Sequence, residues 1–141
     1  MDYREAYEKA LQLLNVRFLS EGELKAKLRR RGVDDDVLED VVAALEGEHF
    51  LDDQRLARDV YRYYARKGQY GYLYIVNRLR RRCLPVPEDV ERPDEYALAG
   101  DLVKRKFSYR ADEARKAARF LQYRGFSPSV IWDVLEDFTV H

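Results

Sequence analysis

The sequence predicts an all-α protein made of three tandem three-helix repeats. One observation behind this prediction is an internal repeat, in which residues 28–45 align with residues 121–138 at a constant offset of 93 positions. The aligned apolar residues recur with the period of one helix face. The other observation is that alternation of polar and apolar residues, the pattern of a half-buried strand, is not sustained anywhere in the sequence.

Two glycines of the repeat predict helix ends. Gly32 and Gly125 occupy equivalent positions, and each is followed by an apolar residue that can fold back on the last helical turn. This is the pattern of a Schellman cap, which needs a left-handed residue. Ser127 and Pro128 then predict an N-cap and the first position of the next helix. We therefore expect a glycine cap between two helices in both copies.

A weaker middle copy lies between these two. At an offset of 51, Leu24 and Leu28 align with Ile75 and Leu79, but Cys83 stands where the other copies have the cap glycine. Three prolines between residues 85 and 93 interrupt the helix that should follow. The predicted repeats are residues 1–50, residues 51–92 with a short or irregular third helix, and residues 93–141.

Polar residues and glycines predict further helix boundaries. Ser20 and Glu23 have the spacing of a capping box before an apolar helix face. Leu51-Asp-Asp53 opens the second repeat with acidic residues suited to the N-terminus of a helix. Gly68 and Gly71 bracket a short turn between two helices of that repeat.

Charge is segregated along the chain although the total is neutral. The 141 residues include 26 basic and 26 acidic side chains. Residues 55–82, however, hold nine Arg or Lys and one acidic residue, Asp59, so this segment carries a net charge of +8 between acidic flanks. Local potential rather than net charge steers an anionic partner. The basic segment is therefore the first place to look for a partner-binding surface.

Residues that could support catalysis are not arranged for it. His49 and His141 are the only histidines in the sequence, and neither has partners at metal-ligand spacing. Cys83 has no fixed histidine partner, and neither standard glycine-rich phosphate loop occurs. The acidic run at residues 34–36 is interpreted as a helix cap rather than a metal site. We expect no enzymatic activity, no metal and no cofactor.

The composition also predicts the compartment. A single cysteine rules out an internal disulfide and fits a reducing environment. The first residues carry charges in every turn, unlike a signal peptide, and no apolar run reaches the roughly 18 residues of a membrane span. We expect a cytoplasmic protein without a membrane partner, and a monomer is the simplest state.

Helical spacing sorts the side chains of the basic segment. On a helix over residues 53–66, four arginines spaced three or four apart form one stripe. The same geometry places Tyr61, Tyr64 and Tyr72 mostly in the core and exposes Tyr70 and Tyr74 beside arginines. The candidate partner-binding residues are Arg55, Arg58, Arg62, Arg66, Lys67, Tyr70, Tyr74, Arg78, Arg81 and Arg82.

Exposed tyrosines among arginines suit more than one partner. They can stack on bases while arginine binds phosphates, as in single-strand binding. They can equally form a hot spot for an acidic protein surface, where Tyr and Arg are enriched. A third interpretation is structural, with the tyrosines covering loops and the arginines paired to carboxylates of a neighbouring repeat. The residues alone leave all three interpretations open.

The order and spacing of several motifs resemble the RecX family of bacterial regulators of the RecA recombinase. The motifs are LDDQRLA at residues 51–57, the basic helix, Gly68, and a helix with Ile75 and Leu79 four positions apart. Two caps of the form LxxRG, at residues 28–32 and 121–125, are further motifs of the resemblance. The second cap continues as RGFSPSVIWDVL at residues 124–135. The resemblance covers essentially the whole chain.

The resemblance implies an elongated, curved array of three-helix repeats that lies in the groove of the RecA–single-stranded DNA filament. It also implies inhibition of strand exchange, ATP hydrolysis and coprotease activity, with effects on DNA recombination, DNA repair and the SOS response. Two features depart from the family pattern. Gly71-Tyr-Leu-Tyr74 stands where many members carry a Gly-Pro-Arg-like run, and Cys83 replaces the cap glycine.

Two other functions remain open from the sequence. The first is a helical module that binds single- or double-stranded DNA directly, without dependence on RecA. The second is a helical-repeat scaffold for another partner. Salt dependence separates the first from filament regulation, because binding that neutralises about six phosphates of a single strand weakens steeply with salt.

Overall fold

A computed structural model describes residues 1–140, and His141, which ends the third predicted repeat, lies outside the described residues. Every regular element within residues 1–140 is helical, which confirms the predicted all-α class. A 3₁₀ turn over Ala111–Glu113 precedes the seventh α-helix. The α-helices of the described residues are α1 (Tyr3–Val16), α2 (Glu21–Arg30), α3 (Asp35–Gly47), α4 (Asp53–Arg66), α5 (Tyr72–Arg81), α6 (Glu95–Phe107), α7 (Ala114–Tyr123) and α8 (Pro128–Val140).

These helices form two compact units. The first unit contains Met1–Asp59 and Leu79–Pro87, and the second contains Val60–Arg78 and the described residues from Glu88 onward. The change from one unit to the other falls inside α4 and again inside α5. The boundaries of the three predicted repeats stay a prediction.

In the first unit, α1, α2 and α3 enclose one apolar core. Ala6 and Ala10 lie one turn apart on α1 and are fully buried, and such small side chains allow helices to approach closely. The larger side chains of this core come from the other two helices and their connections. They are Leu19, Leu24, Leu28, Val33, Leu38, Val41, Val42, Leu45 and Leu51.

Helix α2 begins with the predicted capping box. The Ser20 hydroxyl accepts a hydrogen bond from the Glu23 N–H at 3.1 Å, and the Glu23 carboxylate accepts one from the Ser20 N–H at 2.9 Å. Asp53 adds a third bond, because its carboxylate accepts from the Glu21 N–H at 2.9 Å. Three donors at the start of α2 are thereby satisfied, which defines where the helix begins.

The two predicted glycine caps are confirmed. Gly32 and Gly125 have φ of 85° and 83°, in the left-handed region. After Gly32, the Val33 N–H donates to the Leu28 carbonyl at 3.2 Å, and after Gly125 the Phe126 N–H donates to the Leu121 carbonyl at 3.1 Å. These are the six-to-one bonds of the Schellman motif.

Cys83 forms the same cap without being a glycine. Its φ is 57°, its N–H donates to the Arg80 carbonyl at 3.0 Å, and the Leu84 N–H donates to the Leu79 carbonyl at 2.9 Å. The replacement of glycine at this position therefore preserves the hydrogen bonds of the Schellman motif. Cys83 therefore adopts a left-handed backbone conformation that is uncommon for residues other than glycine.

In the second unit, α6, α7 and α8 enclose another apolar core. Helix α8 starts at Pro128 as predicted, and the Val130 N–H donates to the Ser127 hydroxyl at 3.4 Å. The side chains buried in this core are Ala99, Leu102, Val103, Phe107, Ala117, Leu121, Phe126, Val134 and Phe138.

Residues 82–94 connect α5 to α6 and contain only turns and bends in the described structure. Pro85, Pro87 and Pro93 fall in this segment, and proline removes the N–H that a helix interior needs. The structure therefore has no helix where the sequence leads us to expect a short or irregular one.

Candidate partner-binding surface

The turn between α4 and α5 brings the tyrosines of the basic segment together. Helix α4 ends at Arg66, and Gly68, which follows it, has a φ of 63° and donates its N–H to the Ala65 carbonyl at 3.2 Å. This left-handed residue reverses the chain within five residues, so that the end of α4 faces the start of α5. Four tyrosines and one arginine around the turn form what we call the tyrosine–arginine cluster: Tyr63, Tyr64, Tyr70, Tyr74 and Arg78.

Three rings form the centre of the cluster. Tyr70 and Tyr74 stack with their centroids 4.0 Å apart and their planes 6° apart. Tyr64 meets both rings edge-on, at 5.9 and 5.8 Å. The sequence places Tyr70 and Tyr74 on an exposed face and Tyr64 in the core, but all three are half-buried because they pack on one another. Such stacked and edge-on pairs add stability beyond their buried area.

Arg78 lies over this centre. Its guanidinium donates a hydrogen bond to the Tyr74 hydroxyl at 2.8 Å and lies 5.0 Å from the Tyr74 ring and 5.9 Å from the Tyr64 ring. The hydrogen bond to Tyr74 is the main reason that the pKa of Arg78 is raised. The cation is therefore held in place by aromatic rings and a hydroxyl, not by a carboxylate.

An exposed rim of cations surrounds the cluster. Tyr63 is 55% exposed, and the Lys67 ammonium lies 4.8 Å from its ring. Arg62 and Arg66 are exposed, and the Arg66 side chain donates to the Arg62 carbonyl at 3.4 Å. Within the part of the chain that the structure describes, none of these three cations forms an ion pair with a carboxylate. The surface is thus positive and carries an accessible aromatic ring.

The start of α5 is fixed by partners from distant parts of the second unit. The Gly71 N–H donates to the Arg124 carbonyl at 2.8 Å, and the Leu73 N–H donates to the Gly125 carbonyl at 3.2 Å. The Tyr72 N–H donates to the Glu95 carboxylate at 3.0 Å. Because these N-terminal donors are paired within the protein, the helix end is a support for the cluster rather than an anion site.

Arg124 is a member of this surface that sequence reasoning missed. Its guanidinium lies 5.5 Å from the Tyr70 ring and donates to the Gln69 side-chain oxygen at 3.1 Å. The sequence feature that points to Arg124 is the repeated LxxRG cap, which has an arginine immediately before each cap glycine. That motif locates Arg124 at a helix end, but only the fold brings it to the turn after α4.

Four of the predicted site residues belong to the first unit. Arg55 and Arg81 are exposed, whereas Arg58 is half-buried. Arg82 does not contribute a free charge as expected, because it donates to the Glu23 carboxylate at 3.1 and 3.2 Å and to the Phe18 carbonyl at 2.7 Å. Arg82 therefore stabilises the first unit, while the other predicted residues, Arg62, Arg66, Lys67, Tyr70, Tyr74 and Arg78, lie together in the second unit.

The described residues contain neither a candidate metal site nor a helix that could span a membrane. Within residues 1–140, no group of three or more His, Cys, Asp or Glu side chains is placed to hold a metal ion. Over the same residues, each helix is too short or too polar to cross a membrane.

The fold and this surface define a helical-repeat protein with a positively charged surface that carries an exposed tyrosine. A sequence profile described as the first three-helix domain of RecX matches residues 6–45, and one described as the third three-helix domain of RecX matches residues 93–135. The chain belongs to the RecX family of regulatory proteins.

Named relatives agree with this assignment. The chain is 31% identical to the regulatory protein RecX of Prosthecochloris aestuarii, with 96% of this chain and 95% of that protein covered. It is 32% identical to the regulatory protein RecX of Vibrio cholerae, with 89% and 88% covered. Against the RecX proteins of two Geobacillus species, the match covers 99% and 98% of this chain but only 56% and 55% of those proteins. The chain thus spans about half the length of those two relatives.

A solved structure shows the same fold. The crystal structure of RecX from Lactobacillus salivarius superimposes with a TM-score of 0.78 over 99% of this chain and 98% of that one. The sequence identity is 20%, so this comparison supports the helical-repeat fold alone.

Proposed function

We propose that this protein binds the RecA–single-stranded DNA filament and inhibits its recombinase, ATPase and coprotease activities. It would act in the cytoplasm as a negative regulator of DNA recombination, DNA repair and the SOS response. The observation that carries this proposal is membership of the RecX family of regulatory proteins. Contact with RecA is inferred from that membership and not from the geometry.

The tyrosine–arginine cluster and its rim of cations form the surface that fits the proposed partner. A filament of protein on single-stranded DNA exposes acidic side chains and phosphates together. The exposed Arg62, Arg66 and Lys67 supply charge for both, and Tyr63 supplies an accessible ring. The packed rings of Tyr70 and Tyr74 hold Arg78 in a fixed position, which reduces the entropy lost on binding.

Direct DNA binding without RecA is the second candidate function. It is favoured by the surplus of positive charge in residues 55–82, since nine basic residues face one acidic residue in that segment. A protein that works only in this way would bind bare single-stranded and double-stranded DNA and would leave RecA unaffected at equal occupancy of the DNA.

The ATPase rate of RecA on single-stranded DNA, titrated with this protein, tests the proposal. The informative variant is Arg62→Glu/Arg66→Glu/Arg81→Glu, which reverses three exposed cations of α4 and α5. The matched control is Arg30→Glu/Arg115→Glu/Arg119→Glu. It also reverses two arginines four positions apart on one helix and a third on another helix. All three are exposed and lie outside the cluster and its rim of cations.

We expect the unmodified protein and the control to inhibit the ATPase at well below one molecule per RecA, and the informative variant to lose inhibition. Inhibition that survives in the informative variant would place the contact on another surface. Absence of inhibition by the unmodified protein, together with tight binding to bare DNA, would favour the second candidate function instead.

A further inference from the structure

The second unit contains an open cleft of about 350 Å³ whose lining is strongly basic. It lies between the end of α6, the end of α7 and the turn that follows α4. None of the described residues that line it is acidic. We call it the basic cleft, and its residues are Lys67, Gln69, Leu102, Arg105, Lys106, Phe120 and Arg124.

Two of its cations converge on one aromatic ring. The Lys106 ammonium lies 4.4 Å from the centroid of the Phe120 ring, and the Arg124 guanidinium lies 4.8 Å from the same centroid. Arg124 is also held by its hydrogen bond to Gln69 at 3.1 Å. Like charges gathered around one ring repel each other, and an anion between them would relieve that repulsion.

The charge of the cleft is largely uncompensated. Arg105 is paired with Asp101 at 2.7 Å, on the same helix. Lys67, Lys106 and Arg124 form no ion pair with any carboxylate among residues 1–140. Three cations therefore face a space in which none of the described lining residues is acidic, which is the electrostatic character of a polyanion site.

We propose that the basic cleft binds the phosphates of a single-stranded DNA chain. An arginine fork and two ammonium groups match phosphate oxygens, and Tyr63, exposed and in contact with Lys67, offers a ring on which an adjacent base can stack. An acidic peptide would use the cations but not the ring. The inference rests on the proposed function, because the RecA filament is where the protein would meet single-stranded DNA.

The test is fluorescence anisotropy with a labelled 20-nucleotide oligo(dT), titrated with the full chain at several salt concentrations. The cleft variant is Lys67→Gln/Lys106→Gln. The matched control is Lys104→Gln/Lys116→Gln, which removes the same charge from exposed positions of α6 and α7 outside the cleft. A labelled poly-glutamate peptide serves as the competing anionic probe, and circular dichroism checks that all variants are folded.

If the cleft contacts phosphates, the cleft variant should bind oligo(dT) about ten-fold more weakly than the control. The slope of log binding constant against log salt concentration should also become shallower by about 1.4, because each of the two lost phosphate contacts contributes about 0.7 on single strands. Equal affinities and slopes for the two variants would overturn the inference. So would a loss confined to poly-glutamate, or no oligo(dT) binding by the unmodified protein at 50 mM salt, a condition at which phosphate contacts are strongest.

Assaying the same variants for inhibition of the RecA ATPase separates this inference from the proposed function. Weakened oligo(dT) binding by the cleft variant, with no RecA inhibition by the unmodified protein, supports the cleft while rejecting filament regulation. RecA inhibition with oligo(dT) binding insensitive to the cleft residues rejects the cleft while supporting filament regulation.

Discussion

Gly71 and Gly125 are in backbone contact within the second unit. A Cβ added to Gly71 would lie 2.6 Å from the Gly125 carbonyl carbon, closer than unbonded atoms approach. The contact allows the carbonyls of Arg124 and Gly125 to accept hydrogen bonds from the N–H groups of Gly71 and Leu73. The end of α7 thus fixes the start of α5, and with it the turn that carries the tyrosine–arginine cluster.

Replacing the cap glycine at this contact should be costly. In Gly125→Ala, a side chain enters the left-handed region, at a cost of roughly 1–2 kcal/mol. Its Cβ would also overlap the backbone of Tyr74, adding about 1–3 kcal/mol as an overpacked contact does. We expect a decrease in the free energy of unfolding of more than about 2 kcal/mol, measured by urea denaturation.

Gly32→Ala is the matched control for this substitution. Gly32 has nearly the same φ, 85°, and occupies the same position in a Schellman cap, but a Cβ there would meet no atom within 4 Å. It should show only the conformational cost. Equal losses of stability in Gly32→Ala and Gly125→Ala would contradict the close contact between Gly125 and the backbone of Tyr74.

Cys83 and Gly22 should be energetically coupled. A Cβ on Gly22 would lie 2.7 Å from the Cβ of Cys83, so Gly22→Ala should be unfavourable in the natural sequence. In the Cys83→Gly background, the clash is gone and the same substitution should stabilise α2 by about 1 kcal/mol, the difference in helix propensity. Urea denaturation of both single variants and the double variant measures the coupling. Additive effects would contradict this packing.

Tyr63→Ala should weaken binding to the RecA–single-stranded DNA filament without unfolding the protein. The ring is 55% exposed and contacts Lys67, so its removal costs little stability but removes an accessible aromatic contact. If it is a hot spot, the loss is about 2 kcal/mol of binding free energy. Titration of fluorescent filaments measures the affinity. Tyr3→Ala, in the first unit and 43% exposed, should leave the affinity unchanged; an equal effect of both would contradict a specific role.

Glu23 should make stability depend on pH. Burial acts to raise the pKa of Glu23, but the hydrogen bonds from Arg82 and the Ser20 N–H and the charges of Arg82 and Arg17 outweigh it, so the pKa is lowered. A carboxyl group of this kind stabilises the fold above its unfolded pKa, about 4.3, and loses that contribution as the pH falls through its folded pKa. The ionised Glu23 therefore stabilises the folded state at neutral pH.

The variant Glu23→Gln measures this contribution. Urea denaturation between pH 7 and pH 3 should show the variant less stable at neutral pH, with the difference shrinking as the pH falls below about 4. A difference that stays constant over this range would mean that the ion pair with Arg82 does not contribute and that only the shape of the side chain matters.

Features set by neighbouring residues could be predicted from the sequence. The caps at Gly32 and Gly125 and the capping box at Ser20 depend on hydrogen bonds within a few positions, and each has a residue signature. The all-α class follows from the same local patterns. The left-handed conformation of Cys83 was outside these rules, because the surrounding helix end imposes a conformation that its residue type disfavours.

Contacts between distant positions could not be predicted in this way. Arg124 and Gln69 are 55 positions apart, and Arg82 and Glu23 are 59 apart. Helical spacing assigns a side chain to a face but does not show what covers that face. Helical spacing therefore predicts that Tyr70 and Tyr74 are exposed, although each is half-buried by the other and by Tyr64.

The most direct test of filament binding compares two forms of the same DNA. Sedimentation of this protein with a single-stranded DNA, either bare or coated with RecA in the presence of a non-hydrolysable ATP analogue, gives both affinities at one salt concentration. We predict tighter binding to the coated DNA, and loss of that preference in Arg62→Glu/Arg66→Glu/Arg81→Glu. Equal or weaker binding to the coated DNA would contradict recognition of the filament.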